Sequence, residues 1–163
     1  MKTTFAAACL AASTTAFDIK AVPEFVAGMV FGLTGENHLV EIESCYKSGD
    51  KVVTDSEYAL NQFKSGHVFK GIKELGTVWN EVFSTLHTCE GMSEDLAEVE
   101  AWAKIFTKPV ELSKTVAKRW LFHGVQIKAD ITKEESDWAA NKYFDAGKDI
   151  ADALTIAVGP MNP

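Results

Sequence analysis

A chain of 163 residues with 47% hydrophobic and 24% charged residues can close one core, and is not a disordered tail. Its 16 basic against 23 acidic residues, a net charge of −7, argue against nucleic acid or anionic lipid as the main partner, because both are held by concentrated positive charge. Past the N-terminal stretch the longest apolar run, FVAGMVFGL at 25–33, is shorter than the roughly 20 residues that cross a bilayer, so no transmembrane segment is expected.

Residues 1–16, MKTTFAAACLAASTTA, read as an address and not as part of the fold. Lys2 supplies the positive start, Phe5 to Ala12 the short apolar run, and Thr14-Thr15-Ala16 the small residues of a cleavage site. A signal peptide ending at Ala16 leaves 17–163 as a single domain, secreted or held in a secretory-vesicle lumen. Loss of Lys2 makes that domain more acidic by one unit. Cys9 leaves as well, so Cys45 and Cys89 are the two remaining cysteines. An even number in an oxidising compartment points to one internal disulfide, with buried thiols or a link to a second chain as the alternatives.

Taken in order, the segments are helical by period, and strand-like alternation is absent. Pro23 suits the first turn of a helix that runs to Leu33 and stops at Thr34-Gly35. Phe25, Val26, Val30, Phe31 and Leu33 surround its axis, which makes this segment the candidate binding helix: a helix apolar all round needs a cover, whether the chain's own core, a partner or a membrane surface. Gly28 and Gly32 fit close helix packing under any of these covers. A short helix with Leu39, Ile42 and Tyr46 follows, ending at Ser48-Gly49-Asp50. Thr54 with Glu57 reads as a capping box that opens a third helix, which breaks at Ser65-Gly66.

Val68, Ile72, Leu75, Trp79, Val82 and Leu86 then form one apolar stripe of five turns, closed by Cys89 and Gly91. Ser93 is the expected cap of the next helix, with Leu96, Val99, Ala103 and Phe106 as its stripe. Pro109 ends it and starts another in which Ala117, Trp120, Gly124, Ile127 and Ile131 face one way. Thr132 with Glu135 reads as a second capping box, opening a last helix that carries Phe144, Gly147, Ala151 and Leu154 to the stop at Gly159-Pro160. The fold class expected is a compact all-α bundle of six or seven short to medium helices with one disulfide.

FKGIKELGTVW (69–79) and FDAGKDIADAL (144–154) echo one another, through an old duplication of a helical hairpin or through like packing needs. Glycine costs a helix interior about 1 kcal/mol relative to alanine, so Gly71, Gly76, Gly124 and Gly147 read as devices for close approach, with Trp79, Trp120 and Phe144 as candidate rings. No strand precedes them and no phosphate-loop pattern occurs.

Chemistry-bearing residues are few. His38 with Glu41 and His87 with Glu90 lie three apart, near Cys45 and Cys89, and are weak candidates for a metal site; the pattern differs from the Glu-x-x-His order of bundle di-metal centres. No cofactor is expected. With no nucleophile elbow and both cysteines suited to a bridge, the expectation is a non-catalytic protein. Ten phenylalanines and four tryptophans are enough to fill the core or to wall a cavity for a hydrophobic small molecule, with Trp79, Trp120, His123 and Phe144 as the candidate pocket.

A leader, then VAGMVFGL, a lone cysteine pair and a closing YFDAGKDIADAL helix together resemble the small secreted helical proteins of ciliate protists. The resemblance implies secretion and an all-helical fold, and carries over no catalytic residue. The function expected is binding, of a hydrophobic small molecule or a partner protein, with assembly into an extracellular or vesicular matrix as the alternative and a metal-dependent enzyme as the weaker one.

Overall fold

In the computed structural model, Pro23 falls in the first turn of α1 (Ala21–Thr34), where its missing N–H breaks no hydrogen bond, and Gly35 takes the left-handed turn that ends the helix (φ 79°). The structure describes residues 21–46 and 50–161, so the expected signal peptide at 1–16 lies outside it. Next come α2 (Leu39–Cys45), α3 (Asp50–Lys64), α4 (Val68–Leu86), α5 (Ser93–Ala103), a 3₁₀ turn (Lys104–Thr107), α6 (Pro109–Ala139) and α7 (Tyr143–Val158). Among the described residues there is no strand, and the fold is all-α.

α7 lies along both α1 and α6, while α3 and α4 form an antiparallel pair beside them. The five-turn stripe of α4 is the middle of the core: Ile72, Leu75, Trp79, Val82 and Leu86 are all buried, and Val68 is half-buried at its start. Cys45 at the end of α2 and Cys89 beyond α4 are joined in a disulfide with their α-carbons 5.4 Å apart. The bridge closes a 44-residue loop that contains α3 and α4.

Close approach explains the glycines. A Cβ on Gly28 of α1 would strike the Phe144 carbonyl of α7, and one on Gly147 would strike the Phe25 carbonyl of α1. Gly32 sits against Ala151 in the same seam, so small residues at four-residue spacing on both helices let two backbones touch. Gly71 and Gly76 instead accommodate the rings of Phe63 and Phe106. The echoing positions Gly76 and Ala151 thus meet unlike partners, a ring in one case and a helix seam in the other. Gly124 is different again, since the nearest atoms to its absent side chain belong to Trp120 of its own helix.

Three expected caps are corrected. α3 begins at Asp50, which leaves Thr54 inside the helix. Ser93 is the first helical residue of α5 and Met92 precedes it, without a side-chain cap. Thr132 opens nothing: its hydroxyl donates to the Lys128 carbonyl one turn back at 2.9 Å, and α6 runs on to Ala139. The chain turns later, at Asn141, whose φ of 60° ends the helix in the left-handed conformation that asparagine tolerates.

Candidate functional site

Leu112, Val116, Ile127 and Ile131 set the buried side of α6. Leu121, Phe122 and Val125 point the other way and are 81%, 77% and 87% exposed. They follow Lys118 at steps of three, four and seven, so all four share a face; Lys114 lies one turn before and Lys128 three residues after. From Leu112 to Ala129 the helix carries Lys114, Lys118, Arg119 and Lys128 and no aspartate or glutamate, which sets it apart in an acidic protein. Arg119 is turned inward and donates to the Ile156 carbonyl at 3.1 Å, while Trp102 donates to that of Gly159 at 2.8 Å, so the C-terminal end of α7 is tied down from two sides. Lys128 stands over the Trp120 ring, 5.5 Å from its centre.

A second feature lies at the far end of α6. Ser56, Leu60 and Lys64 on one face of α3 and Glu134, Glu135 and Trp138 on α6 wall a cleft of about 290 Å³. Glu134 follows Ile131 by three and Ile127 by seven, on the buried side of the helix, and is only 1% exposed. Its Oε2 and the buried Ser56 Oγ accept and donate no hydrogen bond. Burial, with Glu135 and Asp149 adding like charge, pushes the Glu134 carboxyl up to about 8. Nearby, Lys133 donates to the buried Asp149 at 2.6 Å. Burial still holds Asp149 above the usual carboxylate range, and burial with the charges of Asp152 and Asp149 does the same to Asp130.

Phe25, Val26 and Val30 are fully buried and Phe31 and Leu33 half-buried, so of the three possible covers for the candidate binding helix it is the chain's own core that is found. Its cover is α7, brought close by the glycine seam. Trp79 is buried and stacks on Phe83 at 5.1 Å, Phe144 packs on Phe31 at 5.5 Å, Trp120 is half-buried and His123 is exposed. No described contact joins these four into one wall. His38 Nε2 is bonded to Asp95 at 2.7 Å with Glu41 at 4.0 Å from Nδ1, whereas His87 faces Glu100 at 3.6 Å. The two pairs therefore turn to separate carboxylates, and among the described residues no group of three or more histidine, cysteine or acidic side chains is placed to hold a metal ion.

Both the α6 patch and Glu134 were open to helical phase: once Val116, Ile127 and Ile131 are taken as the buried side, Leu121, Phe122 and Val125 fall outside and Glu134 inside. A family model described as SctB-like, Secreted protein B-like, matches residues 8–158. The chain belongs to the SctB-like family. That family is one of secreted proteins, and among the described residues no helix is long and apolar enough to cross a membrane. No curated protein and no solved structure matches the chain.

Proposed function

We propose that this SctB-like protein is a non-catalytic interaction protein, delivered to the extracellular space or a secretory-vesicle lumen. It docks the Leu121–Phe122–Val125 face of α6 into an apolar pocket, rimmed by carboxylates, on a partner protein. The observation that carries the reading is the exposure of three large apolar side chains on one helix face, between Lys114 and Lys118 on one side and Lys128 on the other. Full burial of each is worth roughly 1.5–3 kcal/mol, on the order of 6 kcal/mol together before the costs of association, which suits a transient contact. The lysines favour a partner of opposite charge and disfavour self-pairing. In an antiparallel pair of α6 helices centred on His123, Lys118 of one copy would oppose Lys128 of the other. The separate engagement of His38 and His87 supports a role without metal chemistry. The resemblance to secreted helical proteins of ciliate protists, taken here as part of the proposal, adds no catalytic residue to it.

A photo-crosslinking amino acid placed at position 122, in protein returned to the secreted fluid of its own source, tests the reading. The expected product is one defined adduct, crosslinked beside acidic residues of another protein and lost with Lys118→Glu plus Lys128→Glu. Crosslinking to a second copy of this chain would replace the reading with matrix assembly, and no adduct would overturn it.

A further inference from the structure

We propose that the cleft between α3 and α6 binds a small organic cation, a primary amine with an apolar body, whose ammonium group is held by Glu134 and Ser56. This site is separate from the α6 patch and does not depend on it. Glu134 is 1% and Ser56 4% exposed, and each has a polar atom without a hydrogen-bond partner in the wall of the cleft. A buried polar atom left without a hydrogen bond has lost its water and gained no partner, so a ligand that satisfies both atoms starts with an advantage. A volume of about 290 Å³ is close to the lower end of small-molecule sites. Leu60 and the Trp138 indole give the walls an apolar surface for the body of the ligand, and an indole also attracts cations.

The charge around the cleft selects the class. Glu57 from α3 and Glu135 from α6 line the cleft with Glu134, and Glu135, Asp149 from α7 and Asp137 add like charge to its carboxyl. Against these stand Lys64 from α3, paired with Glu135 at 2.9 Å, and Lys133 from α6, held by Asp149. An anion adds to this excess of negative charge and a neutral acceptor leaves the carboxyl as the acid, whereas an ammonium group takes the place of the Glu134 proton: the net charge of the cleft is unchanged, but three N–H donors, where the acid had one O–H, then face the surrounding carboxylates. Near neutral pH the buried carboxyl keeps its proton, so binding exchanges one charge for another: the Glu134 O–H bond breaks, the proton leaves to solvent, and the carboxylate receives the ammonium.

Three ligands of nearly one shape separate the outcomes: 2-phenylethylamine, 2-phenylethanol and phenylacetate, titrated into the disulfide-intact mature protein by calorimetry in two buffers of different ionisation enthalpy. The amine is expected to bind in preference to the other two and to release close to one proton at neutral pH. Glu134→Gln is expected to weaken it about tenfold and abolish the release, while Ser56→Ala weakens it less and keeps the release. Equal or tighter binding of the alcohol or the acid, amine binding without proton release, or no saturable amine binding at millimolar concentration would each overturn the proposal. Should Glu134→Gln fail to fold, the native protein's proton release and Ser56→Ala decide.

Discussion

The bare α-carbon of Gly147 in α7 rests against the backbone carbonyl of Phe25 in α1, with no room for a methyl group between them. Gly28 makes the reverse contact with Phe144, so the two helices are locked by backbone on backbone. Gly147→Ala is therefore expected to destabilise the fold even though alanine is the better helix former. Over-packing costs about 1–3 kcal/mol where side chains can move, and here a helix must move instead. Gly124→Ala is the contrast. Its new methyl would meet only the Trp120 ring of its own helix, 3.1 Å away and half-buried, and the propensity gain of about 1 kcal/mol is expected to offset the crowding. Urea midpoints of the two variants, measured side by side, check the pair.

The Cys45–Cys89 bridge makes a second expectation quantitative. Closing a 44-residue loop restricts the unfolded chain by about 4 kcal/mol in the chain-entropy account. The double variant Cys45→Ser, Cys89→Ser should lose stability of that order, and reduction of the native protein should match it. Equal urea midpoints with and without reductant would show that the bridge adds nothing.

How far the sequence could be read depended on whether a local signal had a tertiary competitor. The α4 stripe from Ile72 to Leu86 was legible because period, length and burial agree. The Thr132–Glu135 signal was not: the same threonine can cap a helix or bond back one turn within it, and Ile131 and Glu134, buried against neighbouring elements, keep α6 running through that point. The segment 25–33 carried the right pattern for close packing, but composition alone could not name α7 as its cover. Leu121 and Phe122 were obscured by the Trp120 and Ile127 beside them, since an apolar run has to be phased against the whole helix before its exposed half stands out.

Exposure and burial on α6 give opposite mutational outcomes within six residues. Phe122→Glu removes an aromatic ring from solvent and touches little else, so stability is expected to change by less than about 0.5 kcal/mol while the proposed docking is lost. Ile127→Ala, in the buried half of the same helix, is expected to cost about 2–5 kcal/mol. Thermal melts of both variants, with circular dichroism to confirm helicity, separate a binding surface from a structural one.

Glu134 gives the fold a pH dependence whose sign can be worked out. In the unfolded chain its carboxyl titrates at the ordinary glutamate value of 4.5, and in the folded protein it is pushed up to about 8 by burial and by Glu135 and Asp149. Between those values the folded state binds more protons than the unfolded one, so stability falls as pH rises through the window and levels off above it. The full span is about 5 kcal/mol, and the raised Asp130 and Asp149 add a slope of the same sign above the ordinary carboxylate range. Glu134→Gln is expected to be near neutral at pH 5 and stabilising at pH 9, because the amide never has to lose a proton in a buried place. Urea midpoints of the native and variant proteins at pH 5, 7 and 9 read this directly. A native stability that stays flat from pH 5 to 9 would mean that the Glu134 carboxylate is ionised in the folded protein, and that the cleft does not hold it as the neutral acid.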